Sequence, residues 1–147
     1  MATLRHTRYQ IAIIEHDQLL MIRFADATSN FWLLPGGGRE PEESEIACVE
    51  REAWEELGVQ VAVEGLILHQ QDQPDPTYQA FKTYRCRIIA GRPKPGYETP
   101  NPNDPSAGIA EVGWVNLAAP QTWPSLIVND LYTFTILQQL RQALNYT

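Results

Sequence analysis

Glu52, Glu55 and Glu56 occupy positions i, i+3 and i+4 of one stretch of chain. If that stretch is helical, the three carboxylates crowd one side of a single turn. Like charges ~5–6 Å apart repel by roughly 3 kcal/mol at an effective dielectric near 20. Carboxylates in the C-terminal half of a helix also oppose its macrodipole. A divalent cation offsets both effects, and Mg²⁺ favours oxygen ligands in an octahedral shell that keeps waters and accepts substrate phosphates. The competing interpretation is a solvated acidic face, which is what most charge runs are.

The elements around these residues decide how they are presented. From about Ser44 to Leu57, Ile46, Val49, Ala53 and Leu57 recur at helical spacing, within a stripe roughly 80° wide. Gly58 follows as a C-terminal stop. The glutamates lie beside this apolar stripe rather than opposite it, near the seam with whatever the helix packs on. Upstream, Phe31–Leu34 reads as a short strand ending at Pro35, and Gly36-Gly37-Gly38 as a tight turn where backbone can approach a ligand closely. Thr7–Ile14 and Gln18–Phe24 read as a hairpin turning near Glu15-His16-Asp17. Val59–Val63 with Gly65–His69 suggests a bent strand, Gln70–Thr77 a loop, Tyr78–Ala90 and Ile109–Val115 further strands, and Ser125–Leu144 one long final helix. That helix draws its apolar surface from Leu126, Leu131, Phe134, Leu137 and Leu140. Between the last two strands, Gly91–Gly108 is irregular and proline-rich, longer than most loops in compact domains.

The 147 residues, 44% of them hydrophobic, suit one domain with a real core, an α/β arrangement of helices on both sides of a mixed sheet. No apolar run approaches the ~20 residues of a membrane helix, and Met1–Gln10 carries no secretion signal. The expected setting is therefore cytoplasmic, with Cys48 and Cys86 as reduced thiols although one disulfide is open to them. A net charge of −7 argues against nucleic-acid binding, which gains affinity from basic surfaces. It also means that cations must help hold any phosphorylated substrate.

The run from Gly37 through Glu43, Arg51-Glu52-Ala53-Trp54-Glu55-Glu56 to Gly58-Val59 resembles the Nudix box, GX5EX7REUXEEXGU. Ala53 fills an apolar position with a small side chain, and Glu42 stands where relatives often carry glycine, which bears on the geometry of the loop's turn. Trp32-Leu33-Leu34-Pro35-Gly36-Gly37 is similar to the family's lead-in, and Ala110–Val115 to its late strand. The resemblance implies a Nudix-like α/β/α sandwich with a catalytic loop–helix–loop, residues 1–147 forming one Nudix hydrolase domain. It further implies Mg²⁺ or Mn²⁺ held by Glu52, Glu55, Glu56 and the Gly36 carbonyl, with water attacking one phosphorus of a diphosphate. In this scheme Glu52 is the first choice of general base, and Arg51 orients Glu52 or pairs with Glu43 to brace loop against helix.

Substrate recognition is less defined. Tyr78, Glu98 and Glu111 are the substrate-side candidates, the two glutamates also as alternative bases. Tyr78, Tyr84, Tyr97 and Trp123 could stack on a nucleobase, although aromatics at such density usually belong to core or rim. In some subfamilies a Pro or a Tyr past the box marks ADP-ribose or dinucleoside polyphosphate substrates; Pro74 and Tyr78 lie near those offsets. His6, His16, His69 and Cys48 read as structural. The implied activity is cleavage of the pyrophosphate linkage in a nucleoside diphosphate derivative of the ADP-ribose, ADP-sugar or dinucleoside polyphosphate type. The alternatives are a nucleoside triphosphate pyrophosphohydrolase that sanitises the pool, and a nucleotide sensor without turnover. The expected partner is a nucleotide-derived small molecule, with no nucleic acid and no membrane, and a homodimer is compatible.

Overall fold

The structure, a computed structural model, describes residues 6–96 and 108–147. Seven strands form a mixed sheet in the order β3-β2-β1-β6-β5, with β4 paired to β1 and β7 to β2. They are β1 (His6–Glu15), β2 (Gln18–Ala25), β3 (Asn30–Leu33), β4 (Gly36–Gly38), β5 (Gln60–Gln70), β6 (Tyr78–Ala90) and β7 (Gly108–Asn116). The helices are α1 (Glu45–Leu57), α2 (Ser125–Val128) and α3 (Leu131–Ala143). The parallel pairing of β1 with β6 makes the sheet mixed; the other pairings are antiparallel. The first two strands close through His16 and Asp17, both at positive φ (50° and 66°), the two-residue turn that matches strand twist.

Strand alternation sorts the apolar residues into two layers. Ile11, Ile13, Leu20 and Ile22 face one way and bury Val49, Ala53 and Leu57 of α1. Ala12, Leu19 and Met21 face the other and bury Ile127 of α2 with Ile136, Leu137 and Leu140 of α3. One sheet between two helical layers is the expected α/β/α sandwich. Among the described residues, no helix is long and apolar enough to cross a membrane.

Several elements differ in detail from the sequence reading. Gly36–Gly38 is not a free turn but a short strand, its residues opposite Gln10, Tyr9 and Arg8 of β1. The final helix is two helices, because Asp130 caps a new one by accepting bonds from Tyr132 N and Thr133 N. The break leaves Leu126 and Leu131 exposed instead of supplying core surface. Ile46 is exposed too, and the buried face of α1 is made by Cys48, Val49, Ala53, Glu56 and Leu57. The bent strand runs unbroken through β5 with a register shift between Val63 and Gly65.

Candidate active site

Helix α1 begins where Ser44 accepts a bond from Ala47 N and ends where Gly58 takes the left-handed φ of 68°. Its N-terminal approach is a turn held from inside. Glu43 N donates to Glu40 O, Glu40 N donates to Glu43 Oε1, and Glu42 between them sits at φ 68°. This is a conformation that glycine adopts without the steric penalty other residues carry.

Arg51 organises the cluster. Its Nε and Nη2 fork onto the two oxygens of Glu43 at 2.8 and 3.0 Å, its Nη1 reaches both Glu52 and Glu55 at 3.0 Å, and its Nη2 also donates to Gly38 O. One planar, always-charged group thus ties loop, strand and helix together, which a lysine's point charge cannot do. The Arg51 bonds hold the Glu43 carboxyl down at about 2, well below its ordinary 4.5. Burial pushes Glu52 the other way, above its ordinary range, with Arg51 pulling against it. Part of the repulsion anticipated from sequence is therefore already offset by a cation within the chain.

Glu56 is 5% exposed, and its Oε1 accepts a 2.5 Å bond from Gly36 N. Glu52 leans onto β4, so that a Cβ on Gly37 would collide with its carboxylate. Gly36, Glu52 and Glu56 thus meet at one seam between β4 and α1, while Glu55 lies further out on Arg51. Among the described residues, no three acidic, histidine or cysteine side chains close into a ready-made metal cage. Mg²⁺ does not require one, since it keeps several waters and binds through one or two carboxylates together with substrate phosphates. The donor set is all hard oxygen and suits such an ion.

Beside this seam is a cavity of about 240 Å³ whose walls include Arg8, Phe31, Tyr78, Asp75, Asp130 and Tyr132. Arg8 lies opposite Gly38 in the β1–β4 ladder, donates to Leu34 O at 2.9 Å, and places its guanidinium 5.9 Å from the Tyr78 ring centre. Tyr78 therefore joins the site, with a Cβ on Gly38 falling 3.8 Å from its hydroxyl. Glu111 does not; it bonds Arg23, which also holds Asn30. Tyr84 bonds Glu45 and Trp123 bonds Asn116 O, both from buried positions. Glu98 and Tyr97 lie outside the described residues. The sequence reading missed Arg8, Phe31, Asp75, Asp130 and Tyr132. Only Asp130 left a local signal, a capping residue before Leu131.

Residues 5–134 match the NUDIX domain family. A "MutT-like protein" of Streptomyces ambofaciens is 43% identical over 56 residues, 38% of this chain and 35% of that protein. Among solved structures, a NUDIX hydrolase from Nitrosomonas europaea superposes with a TM-score of 0.71 at 18% identity, covering 99% of this chain and 73% of that one. An ADP-ribose pyrophosphatase from Streptococcus suis superposes at 0.67 and 20% identity, over 97% of this chain and 91% of that one. A UDP-X diphosphatase gives 0.67 at 19% identity, over 97% of this chain and 65% of that one. At these identities the structural likenesses concern the fold. The family match runs from the first strand into α3 and so takes in the glutamate seam and most of the cavity's walls: the chain belongs to the NUDIX domain family.

Proposed function

We propose that the chain is a Mg²⁺- or Mn²⁺-dependent hydrolase that cleaves the pyrophosphate linkage of a nucleoside diphosphate derivative. One observation carries this reading: the buried Glu56 carboxylate is pinned beside Glu52 to Gly36 N of β4, the strand paired with β1, whose Arg8 lines a one-ring cavity. Glu52, Glu56 and the Gly36 carbonyl would hold the metal, with Glu55 joining once released from Arg51. When bound, the metal neutralises phosphate oxygens and eases the ionisation of water. The chain's own residues do the rest. Arg51 fixes Glu52 and Glu43, and Glu52 accepts the proton of a water that attacks one phosphorus. The P–O bond to the bridging oxygen breaks, and that oxygen leaves with the other phosphate. Arg8 supplies the fixed positive charge that a protein of net charge −7 needs near an anionic substrate.

The cavity, slightly below the ~300–1,000 Å³ of drug-sized sites, has room for a single base between Tyr78, Phe31 and Tyr132. The chain's setting would be the cytoplasm, where the buried thiols of Cys48 and Cys86 stay reduced. The ADP-ribose pyrophosphatase and UDP-X diphosphatase among the structural neighbours are consistent with a substrate of the ADP-ribose, ADP-sugar or dinucleoside polyphosphate type. A second reading is pyrophosphate release from a nucleoside triphosphate, whose single base the cavity would equally admit.

Products from a panel of these substrates separate the readings: monophosphate plus a phosphorylated group for the first, monophosphate plus pyrophosphate for the second. Chelation should abolish turnover and Mg²⁺ restore it. Glu56→Gln, which keeps an oxygen for Gly36 N, should lower kcat by at least about 10³-fold while leaving the unfolding midpoint in place. Turnover without a divalent ion, or near-normal turnover in that variant, refutes the proposal.

A further inference from the structure

Helix α1 ends badly by its own means. Its last turn carries Glu55 and Glu56 and no basic residue, so side-chain charge and macrodipole are both unfavourable there. A helix also leaves its last carbonyls without internal partners. Gly58 N covers Trp54 O, but Glu56 O and Leu57 O need donors from elsewhere.

Residues 91–96, which leave β6, supply them. Lys94 N donates to Leu57 O at 3.0 Å and Gly96 N to Glu56 O at 2.8 Å. The Lys94 stem lies over Gly58, its Cε 3.2 Å from where a Cβ on that glycine would stand. At the far end Gly96 is packed against helix backbone so closely that a Cβ would strike Glu55 O and lie 2.6 Å from Glu56 C. Both residues touched are those whose side chains the proposed chemistry uses. We infer that this strap, through Gly96, is a positioning device for the metal site: it clamps the backbone of Glu55 and Glu56 and thereby sets the affinity for the divalent ion. The inference rests on the metal-ligand role proposed above.

Gly96→Ala tests it, with Mn²⁺ binding to the nucleotide-free protein measured by the loss of the free-ion EPR signal. Clamping predicts a Kd raised roughly 10–100-fold, the range for partners that orient metal ligands. It also predicts faster hydrogen exchange at Gly58 N, and a kcat that recovers towards wild type at saturating Mn²⁺. A role confined to stability would lower the unfolding midpoint and leave Mn²⁺ affinity of the folded protein unchanged, which would overturn the inference. Should that variant not fold, Pro95→Gly loosens the strap without adding atoms and should raise the Kd about two- to fivefold; an unaltered Kd there is equally fatal. Failure of the underlying reading looks different: wild type would bind no Mn²⁺, or Glu56→Gln would bind it as well as wild type does.

Discussion

Arg51 carries more of the site than its place between glutamates suggests. Four carboxylates, those of Glu40, Glu43, Glu52 and Glu55, lie within 3.7 Å of its guanidinium, the tightest bond, at 2.8 Å, going to Glu43. With Arg51 22% exposed and Glu43 and Glu52 at 13% and 12%, those two pairs are not the solvent-screened kind that contribute almost nothing. Arg51→Lys keeps the charge but loses the fork and the reach to Gly38 O. We expect about 2 kcal/mol of destabilisation in urea titration and a roughly tenfold fall in kcat/KM, since Glu52 is then no longer fixed. The same contact fixes a pH dependence. Glu43 is held at about 2 against an ordinary 4.5, so its bonds to Arg51 stabilise fully above the ordinary value and lose that effect as pH falls from about 4.5 towards 2. Urea midpoints of wild type and Glu43→Gln should therefore converge as the pH is lowered through that window; a constant gap would show that Glu43 does not titrate as a bonded carboxylate.

The loop and helix that present these residues were largely legible from sequence, because both ends carry their own chemistry. Ser44 and Gly58 mark the limits of α1, and the two are its caps. The final helix misled because apolar periodicity runs through Asn129-Asp130 without a proline or glycine to interrupt it, while one helix ends at Asn129 and the Asp130 side chain starts another. Ile46 misled for a related reason, since period alone does not say where a stripe leaves the core. The departure at Glu42 was informative. Its φ of 68° places a side chain where the family often has none, and left-handed geometry costs a residue with a Cβ roughly 1–2 kcal/mol. Glycine loses about 0.5–1 kcal/mol of that advantage through its greater freedom when unfolded. Glu42→Gly should accordingly stabilise by up to about 1 kcal/mol, seen as a higher urea midpoint at unchanged m-value; a lower midpoint would mean that the Glu42 side chain holds the turn.

Why the cavity stayed hidden follows from how it is assembled. Its walls come from β1, β2, β3, β6, the loop before β6 and α3, so no spacing rule could have gathered Arg8, Phe31, Tyr78 and Tyr132. The glutamates rest on the core under α1 and the cavity on the core under α3, and β1 belongs to both. This division predicts a division of labour in the kinetics. Tyr132 stands at the cavity wall 39% exposed, edge-on to Phe81 at 5.9 Å, on α3 rather than on the helix that carries the glutamates. If it stacks on a base, Tyr132→Ala removes an interaction worth about 1–3 kcal/mol. Because the ground state and transition state stack alike, that loss should raise KM and leave kcat nearly unchanged. Tyr132→Phe keeps the ring and should keep KM near wild type, which separates stacking from any role of the hydroxyl. A fall in kcat at constant KM for Tyr132→Ala would instead place the base elsewhere, and the glutamate seam would then lack the neighbour that makes its substrate a nucleotide.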